Sequence, residues 1–367
     1  MKVTRRQLLI FAGGTFGFGF LRFTHKSLQK SGLSEQSPIV TSPLPSQAAI
    51  APAPPGFYAP TKGDIRIATI SDLNSQYGST TYESEVKRAI TLIPQWQPDL
   101  VLCGGDMIAG QKQSLTEAQI KAMWAAFDDN ITAPLRRAGI PFGFTIGNHD
   151  ASGAIANGKL SFAKERELAT AYWQDTRHNP GLEFIDKTGF PFYYSFTQKG
   201  IFYLVWDAST DRIPPEVLIW AEKSLNSPAA QQAKIRIAIG HLPLYAVAVG
   251  RDNQGNYLTN APALQSLLQK YGVQLYISGH HHAYYPGKRG QLELLHAGAL
   301  GSGPRKLLNS NLPPQKTLTI LDLKLSPIAL VYTTYNMKTL QVIDIKTLPE
   351  KITAPNGIIW RRDLQVN

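Results

Sequence analysis

Hydrophobic and polar positions follow two periods along this chain from residue 64 onward. Short apolar runs, typical of buried strands, occur at 64–71, 100–103 and 140–146. Between these runs, apolar residues recur at helical spacing in 83–93 and 115–138. The order strand, helix, strand, helix, strand predicts parallel strands joined by right-handed crossovers.

The second half of the chain predicts more strands and fewer helices. Apolar runs at 192–196 and 201–207, separated by a Gly-containing turn, are typical of a hairpin. Helices predicted at 215–225 and 262–271 each precede a strand, at 235–239 and 273–278. Further strands are predicted at 292–296, 317–323, 329–335 and 340–345. These elements together fit two packed sheets with helices outside.

Composition indicates a globular protein without cross-links. Hydrophobic residues make up 43% of the 367 residues and charged residues 17%, which excludes an intrinsically disordered chain. The single cysteine excludes a disulfide framework and a thiolate zinc cluster. Apolar runs all fall short of the roughly 18 residues of a confident membrane span.

Charge is distributed unevenly, with a net charge of +11 for the whole chain. Six basic residues and one acid give +5 in residues 1–47, which leaves +6 for the rest. A dense basic stripe with interleaved aromatics is missing from the sequence, so no nucleic acid is expected as a partner. The mild positive charge is compatible either with attraction of anionic substrates or with ordinary solvated side chains.

The first thirty residues have the layout of an export signal. Arg5 and Arg6 precede the apolar run Leu8–Leu21, an arrangement that resembles the twin-arginine signal. A general secretory signal or an uncleaved membrane-tethering N-terminus is the alternative. We therefore expect a periplasmic or extracellular protein that meets the export machinery. The expected organisation is a signal at 1–30, a Pro/Ser-rich linker at 31–60, one main domain at 61–350 and a tail at 351–367.

Polar residues that are costly to bury follow five of the predicted strands. They are Asp72-Leu73-Asn74, Gly105-Asp106, Gly147-Asn148-His149-Asp150, Gly240-His241 and Gly279-His280-His281-His282. Ligands of open α/β sheets bind at the carboxyl ends of strands, so these residues are expected to converge. Metal ions offset the cost of burying them, since carboxylate, amide oxygen and imidazole are ligands of Mn, Fe and Zn. Each motif alone is weak evidence for a metal site. The prediction of such a site depends on the occurrence of all five motifs in this order.

These motifs resemble the signature of the calcineurin-like metallophosphoesterase superfamily, which runs D-x-H, G-D, G-N-H-[DE], H, G-H-x-H. The resemblance covers about residues 64–300 and is most specific at Gly147–Asp150 and Gly279–His282. It implies a four-layered α/β/β/α sandwich of two mixed sheets, and it makes 61–350 a phosphoesterase domain.

The resemblance also implies a role for each motif residue. Asp106 would bridge two divalent or trivalent metal ions. The first site would add Asp72, Asn74 and His282, and the second Asn148, His241 and His280. His149 would face the phosphate as the catalytic residue. His281 would point away from the site, and Asp150 would support the ligands.

Two positions depart from the family pattern. Asn74 stands where the family usually has His, and Ala109 stands where purple acid phosphatases have a Tyr ligand. Many relatives also have an Asp at the position of Ala109, where it supports the catalytic His. The iron charge-transfer chemistry of the purple enzymes is therefore not expected. Tyr77 is near the first site in sequence, but its spacing fits no family pattern.

The resemblance implies a hydrolase in which a hydroxide bridging two metal ions attacks the phosphorus of a phosphate ester, and the N-terminal signal places this reaction outside the cytoplasm. A phosphomonoesterase is expected first; a phosphodiesterase of the same fold, or a metal-dependent binding protein without turnover, remains open. Substrate specificity is expected in the loops 151–162 and 246–260. Cys103 is expected to be buried and inert, and His296 to belong to the core or to support a ligand. The glycine-rich segment Gly298–Gly303 lacks the context of a nucleotide-binding loop.

Overall fold

The computed structural model describes residues 51–365, so the predicted export signal and residues 31–50 of the predicted linker lie outside the described residues. The strands are β1 Ile65–Ile70, β2 Leu100–Cys103, β3 Phe142–Phe144, β4 Ile155–Ala156, β5 Lys159–Leu160, β6 Glu183–Gly189, β7 Tyr193–Gln198, β8 Ile201–Val205, β9 Arg236–Ile239, β10 Leu275–Ser278, β11 Tyr284–Arg289, β12 Leu292–Ala297, β13 Thr317–Leu325, β14 Ile328–Asn336, β15 Lys351–Ala354 and β16 Gly357–Arg361. The helices are α1 Ser84–Leu92, α2 Glu117–Phe127, α3 Ala133–Arg137, α4 Asn148–Ala151, α5 Ala163–Gln174, α6 Pro215–Leu225, α7 Pro228–Gln232 and α8 Ala261–Lys270.

Two mixed sheets form the centre of the fold. The first has five strands in the order β14-β13-β1-β2-β3, and the second has nine in the order β15-β16-β11-β12-β10-β9-β8-β7-β6. Strands β1, β2 and β3 are parallel, as are β8, β9, β10 and β12. Parallel neighbours bring their carboxyl ends to one edge of each sheet, which is where the polar motifs follow.

Alternation along the strands shows how the layers pack. In β2, Leu100 and Leu102 belong to the core shared with the second sheet, where Ile237 lies. Their neighbours Val101 and Cys103 face the other way and pack with α2 and α5. Helices α6 and α8 cover the outer face of the second sheet. The predicted α/β/β/α sandwich is therefore confirmed. Among the described residues, no helix has the length and apolar character needed to cross a membrane.

The long helix predicted over 115–138 is present, with a π-helical turn, Asp128–Thr132, between α2 and α3. Pro134 comes just after this π-helical turn and does not end the helix, which continues to Arg137. Helix α5 and strands β6 and β11 were not predicted. Strand β6 alternates mainly between exposed and half-buried positions, so its apolar signal is weak.

Residues 51–60 differ from the prediction of a linker. The Phe57 ring lies 5.4 Å from Trp96 and 5.7 Å from Tyr335, and the Tyr335 hydroxyl donates to the carbonyl of Tyr58. The described end of the proline-rich segment is thus packed on the first sheet, because its aromatic and apolar side chains gain burial there.

Two corrections concern the C-terminal part. Residues 351–361, predicted as part of a tail, form a hairpin in which β16 pairs with β11 and extends the second sheet. The turn residues are Pro355 and Asn356, and Gly357 follows as the first residue of β16; proline at the first central position and glycine after the turn are a turn signal in the sequence. The strand predicted at 340–345 is wrong: Leu340 has a positive φ of 64°, and only an isolated bridge joins Val342 to Tyr335.

Candidate metal centre

Side chains from both sheets meet at the carboxyl ends of their parallel strands. Asp72 follows β1, Asp106 follows β2, and His241 follows β9. One ligand atom from each of these three residues lies within 4.8 Å of the others, and all three residues are buried. The predicted convergence of these strand ends is therefore observed.

The second predicted ligand group is assembled around the Asn148 side chain. Asn148 Oδ1 lies 2.9 Å from His241 Nε2 and 2.9 Å from His280 Nδ1. His241 Nε2 is also 3.3 Å from Asp106 Oδ1. Two oxygens and two nitrogens thus face one another at the junction of the sheets.

The first predicted ligand group lies on the other side of Asp106. His282 Nε2 is 3.3 Å from Asp72 Oδ1. Asn74 donates its backbone N–H to the Asp106 carbonyl and its Nδ2 to the Ile108 carbonyl, at 3.1 and 3.3 Å. Asn74 Oδ1 makes no hydrogen bond to any residue from 51 to 365, so it is available as a ligand. All seven predicted ligand residues therefore lie at this edge.

Backbone conformation shows that the site is held under strain. Asp72, Asp106, His280 and His282 have φ between 51° and 63°, in the left-handed region that non-glycine residues rarely adopt. Such strain is concentrated at functional sites, where the surrounding fold enforces it. A Cβ on Gly147 would lie 2.1 Å from Asp106 Oδ1, which explains why the motif requires glycine there.

Hydrogen bonds orient the imidazoles of the cluster. Nδ1 of His241 lies 2.7 Å from the Gly104 carbonyl, and Nδ1 of His282 lies 2.9 Å from the Gly303 carbonyl. A carbonyl only accepts, so Nδ1 of each ring carries a proton, and Nε2 is the nitrogen that faces the carboxylates. This arrangement is typical of metal-binding histidines.

The buried carboxylates of the cluster favour the binding of a cation. Burial opposes ionisation of Asp106, yet the neighbouring His241 and His149 hold its pKa well below the usual range. Burial also disfavours the His241 imidazolium, but the Asp106 carboxylate outweighs it and raises the pKa of His241 to about 9. Buried carboxylates of this kind are stabilised by a proton or by a metal ion. The donor set of carboxylate, amide and imidazole groups fits Mn, Fe or Zn.

His149 lies at the edge of the cluster, apart from the facing oxygens and nitrogens. Its Nδ1 lies 3.1 Å from the Gly110 carbonyl, and its Nε2 is 4.0 Å from Asp106 Oδ2. Its backbone N–H donates to Asp106 Oδ1 at 2.9 Å. The Tyr77 ring lies 5.1 Å from the imidazole and is 56% exposed. The side chain of His149 is therefore oriented by the loop after β2, with Nε2 beside the predicted bridging carboxylate.

Two residues outside the ligand set hold the ligands in place by hydrogen bonds. Asp150 accepts backbone N–H groups from Met107, Ile108 and Gly147, at 2.7 to 2.9 Å, which joins the loops after β2 and β3 as predicted. Gln111 was not predicted, although its Oε1 accepts from Asn148 Nδ2 at 2.6 Å. By holding the amide nitrogen, Gln111 turns Asn148 Oδ1 toward the histidines. No motif in the sequence marks this position.

The remaining candidates lie outside the cluster. His281 accepts from the Val247 N–H at Nδ1 and contacts the Asn256 carbonyl at Nε2, so it points away as predicted. His296 contacts the Tyr245 and Tyr285 carbonyls in the core. Cys103 is fully buried, and burial raises the pKa of its thiol, which makes it unreactive.

The glycine-rich segment Gly298–Gly303 has a structural role. Its Leu300, Gly301 and Ser302 N–H groups donate to the carbonyls of Ser71, Asp72 and Asn74. The segment therefore fixes the strained turn that presents the first ligands. Close backbone contact explains its small residues better than phosphate binding does.

Comparison with known proteins agrees with the site. The sequence model of the calcineurin-like phosphoesterase family matches residues 65–284, more than half of the chain. The chain belongs to the calcineurin-like phosphoesterase family, as its motifs predicted. The members of this family use two metal ions, and the cluster described above is the candidate site for them. A search of curated protein sequences finds no match.

A solved structure shows the same fold. A purple acid phosphatase isolated from yellow lupin (Lupinus luteus) seeds aligns with a TM-score of 0.54 and 19% identity, over 76% of this chain and 52% of that one. This chain thus spans about half the length of the lupin protein. A dimetal phosphatase from Danio rerio aligns with a TM-score of 0.47 and 13% identity, over 71% of this chain and 93% of that one. At 19% identity, the likeness to the lupin protein concerns the fold alone.

Proposed function

We propose that this protein is an exported phosphomonoesterase that depends on two metal ions. The observation that carries the proposal is the convergence of seven oxygen and nitrogen ligand residues beside the imidazole of His149. Asp106 would be shared by both ions, Asp72, Asn74 and His282 would hold the first, and Asn148, His241 and His280 the second. When bound, these ions would neutralise charge on the phosphoryl oxygens and lower the pKa of water.

The protein's own groups would position and protonate the substrate. His149 Nδ1 is held by the Gly110 carbonyl, so Nε2 is the atom that can exchange a proton in the site. A protonated Nε2 would donate to the leaving alkoxide oxygen. The exposed Tyr77 ring beside it would shield this imidazole from part of the solvent.

Hydrolysis of matched chromogenic esters tests the substrate class. Purified protein is loaded with Mn and assayed with p-nitrophenyl phosphate and with bis(p-nitrophenyl) phosphate. We expect kcat/KM to be at least about tenfold higher for the monoester, a difference of about 1.4 kcal/mol in transition-state binding. A preference for the diester would identify a phosphodiesterase. Metal binding without turnover of either ester would identify a binding protein.

Replacing Asn74 by His tests the composition of the first ligand group. An amide oxygen is a harder donor than imidazole, so the wild-type first site should favour Mn or Fe over Zn. We expect Asn74→His to raise zinc affinity at that site about tenfold, or about 1.4 kcal/mol. Titration of metal-free wild type and variant with Mn and Zn measures this. Identical affinities in the two proteins would remove Asn74 from the ligand set.

Export through the twin-arginine route predicts a specific defect. Replacing Arg5 and Arg6 together by Lys should leave the protein in the cytoplasm, because recognition of the paired guanidinium groups does not tolerate lysine well. Cell fractionation measures the distribution. As a matched control, Arg22→Lys changes an arginine beyond the apolar run and should be exported like the wild type. Normal export of the double variant would favour a general secretory signal.

A further inference from the structure

Two arginine residues lie beside the His280–His282 segment. Arg251 Nη1 is 3.2 Å from His280 Nε2 and donates to Asn256 Oδ1 at 2.8 Å. Arg305 donates its backbone N–H to the His282 carbonyl at 2.9 Å. In residues 51–365, neither guanidinium forms an ion pair with a carboxylate, whereas six other arginines do.

Each of these guanidinium groups has an unused donor in the protein interior. The Nε atoms of Arg251 and Arg305 are buried and have no hydrogen-bond partner in the described part of the chain. A buried N–H without a partner costs free energy, and native proteins rarely leave one without a reason. Both residues are half-buried overall, so part of each side chain is accessible from solvent.

The two positive charges are held close to each other by the backbone. The Val249 N–H donates to the Lys306 carbonyl, and Ala248 forms a bridge with Leu307. The Arg305 guanidinium lies against Gly250, the neighbour of Arg251: a Cβ added to Gly250 would be 3.4 Å from Arg305 Nη1. Like charges held together in this way are stabilised when an anion lies between them.

We propose that Arg251 and Arg305 form a subsite for a second phosphate group of the substrate. The proposal rests on the phosphomonoesterase function: one phosphate is hydrolysed at the metal centre, and the other binds the arginine pair next to it. Guanidinium groups bind phosphate through two parallel N–H donors, and no carboxylate of residues 51–365 occupies the donors of Arg251 or Arg305. Arg251 belongs to the loop 246–260, in which specificity was expected.

Matched substrates that differ by one phosphate test the subsite. Fructose 1,6-bisphosphate is compared with fructose 6-phosphate, and ADP with AMP, using Mn-loaded protein. We expect wild type to prefer at least one of the two-phosphate substrates. In Arg305→Gln, the ratio of kcat/KM between the members of the preferred pair should fall about tenfold to a hundredfold, as for the loss of charge-assisted hydrogen bonds. Arg251→Gln should lower this ratio similarly.

The control variant is Lys306→Gln, which removes one positive charge from the exposed neighbour of Arg305. Because its side chain faces solvent, it should keep the wild-type ratio. An equal fall in Lys306→Gln would show a general charge effect and would overturn the proposal. Circular dichroism and metal content confirm that the variants compared are folded and loaded.

Binding to metal-free protein separates the subsite from catalysis. Calorimetry in EDTA with fructose 1,6-bisphosphate and ADP should show weaker binding to Arg305→Gln than to Lys306→Gln. If wild type hydrolyses neither ester class but this difference is present, the phosphomonoesterase function fails and the subsite stands. If monoesters are hydrolysed, yet Arg305→Gln changes neither the ratio nor the binding, the subsite is wrong and the phosphomonoesterase stands.

Discussion

Replacing His149 by Ala is expected to lower kcat by about 10²–10⁴-fold while both metal ions stay bound. The loss of rate follows from removing the only group proposed to give a proton to the leaving oxygen. The metal ions should stay because the seven proposed ligand residues are unchanged. The backbone N–H of residue 149, which donates to Asp106 Oδ1, is also kept in the variant.

The leaving group provides an internal control for this variant. p-Nitrophenyl phosphate releases a weakly basic phenolate that needs little protonation, so its kcat should fall less than that of glycerol 2-phosphate. Steady-state kinetics with both esters, beside metal analysis of the same samples, measures the effect. Loss of metal from His149→Ala would show that this imidazole is a ligand. An equal fall for both esters would contradict the general-acid role.

The convergence of the site was predictable because its signals are local. Asp72, Asp106 and His241 each follow directly on a buried apolar run, and parallel strands bring such positions together. The glycines of the motifs have an equally local cause. A side chain at Gly147 would collide with Asp106, and one at Gly279 would collide with Ser71. The strand and helix periods predicted two packed sheets with helices outside, and the resemblance to the family implied the four-layered α/β/β/α sandwich.

Groups that act through distant partners could not be predicted. Gln111 orients Asn148 from 37 residues away, and only the folded chain shows that their amides meet. The arginine pair likewise comes from two loops, one around Arg251 and one around Arg305, whose pairing depends on the backbone contacts beside His282. Hydrophobic periodicity and composition do not predict such contacts, because each of these residues taken alone is typical of an ordinary polar position.

Arg66 is the clearest example of a residue whose role depends on partners distant in sequence. It lies within the apolar run predicted as the first strand, and it is fully buried. Its Nε and Nη2 donate to the two carboxylate oxygens of Asp322, at 2.8 and 3.0 Å. Its remaining donors bind the carbonyls of Pro52, Trp96 and Pro60, so all five N–H groups are used. The ion pair thereby joins β1 and β13 to the packed segment 51–60.

Removing the acid from this pair is therefore expected to destabilise the fold severely. Asp322→Ala leaves the Arg66 guanidinium buried without a counter-ion, and loss of one partner of a buried pair costs about 3–5 kcal/mol. Urea unfolding followed by circular dichroism measures the free energy of unfolding. It is carried out in EDTA, because metal binding would add its own stabilisation to the native state.

Two further variants separate the charge from the packing. Asp322→Ala combined with Arg66→Met replaces the unpaired charge with an apolar side chain, so the double variant should recover much of the stability that the single variant loses. Glu117→Ala breaks the exposed pair with Lys121 and should unfold like the wild type, since both side chains are largely solvated. If Asp322→Ala unfolded at the same urea concentration as the wild type, the pair would not stabilise this part of the fold. If the double variant were less stable than the single one, the loss would come from packing around Arg66 and not from its unpaired charge.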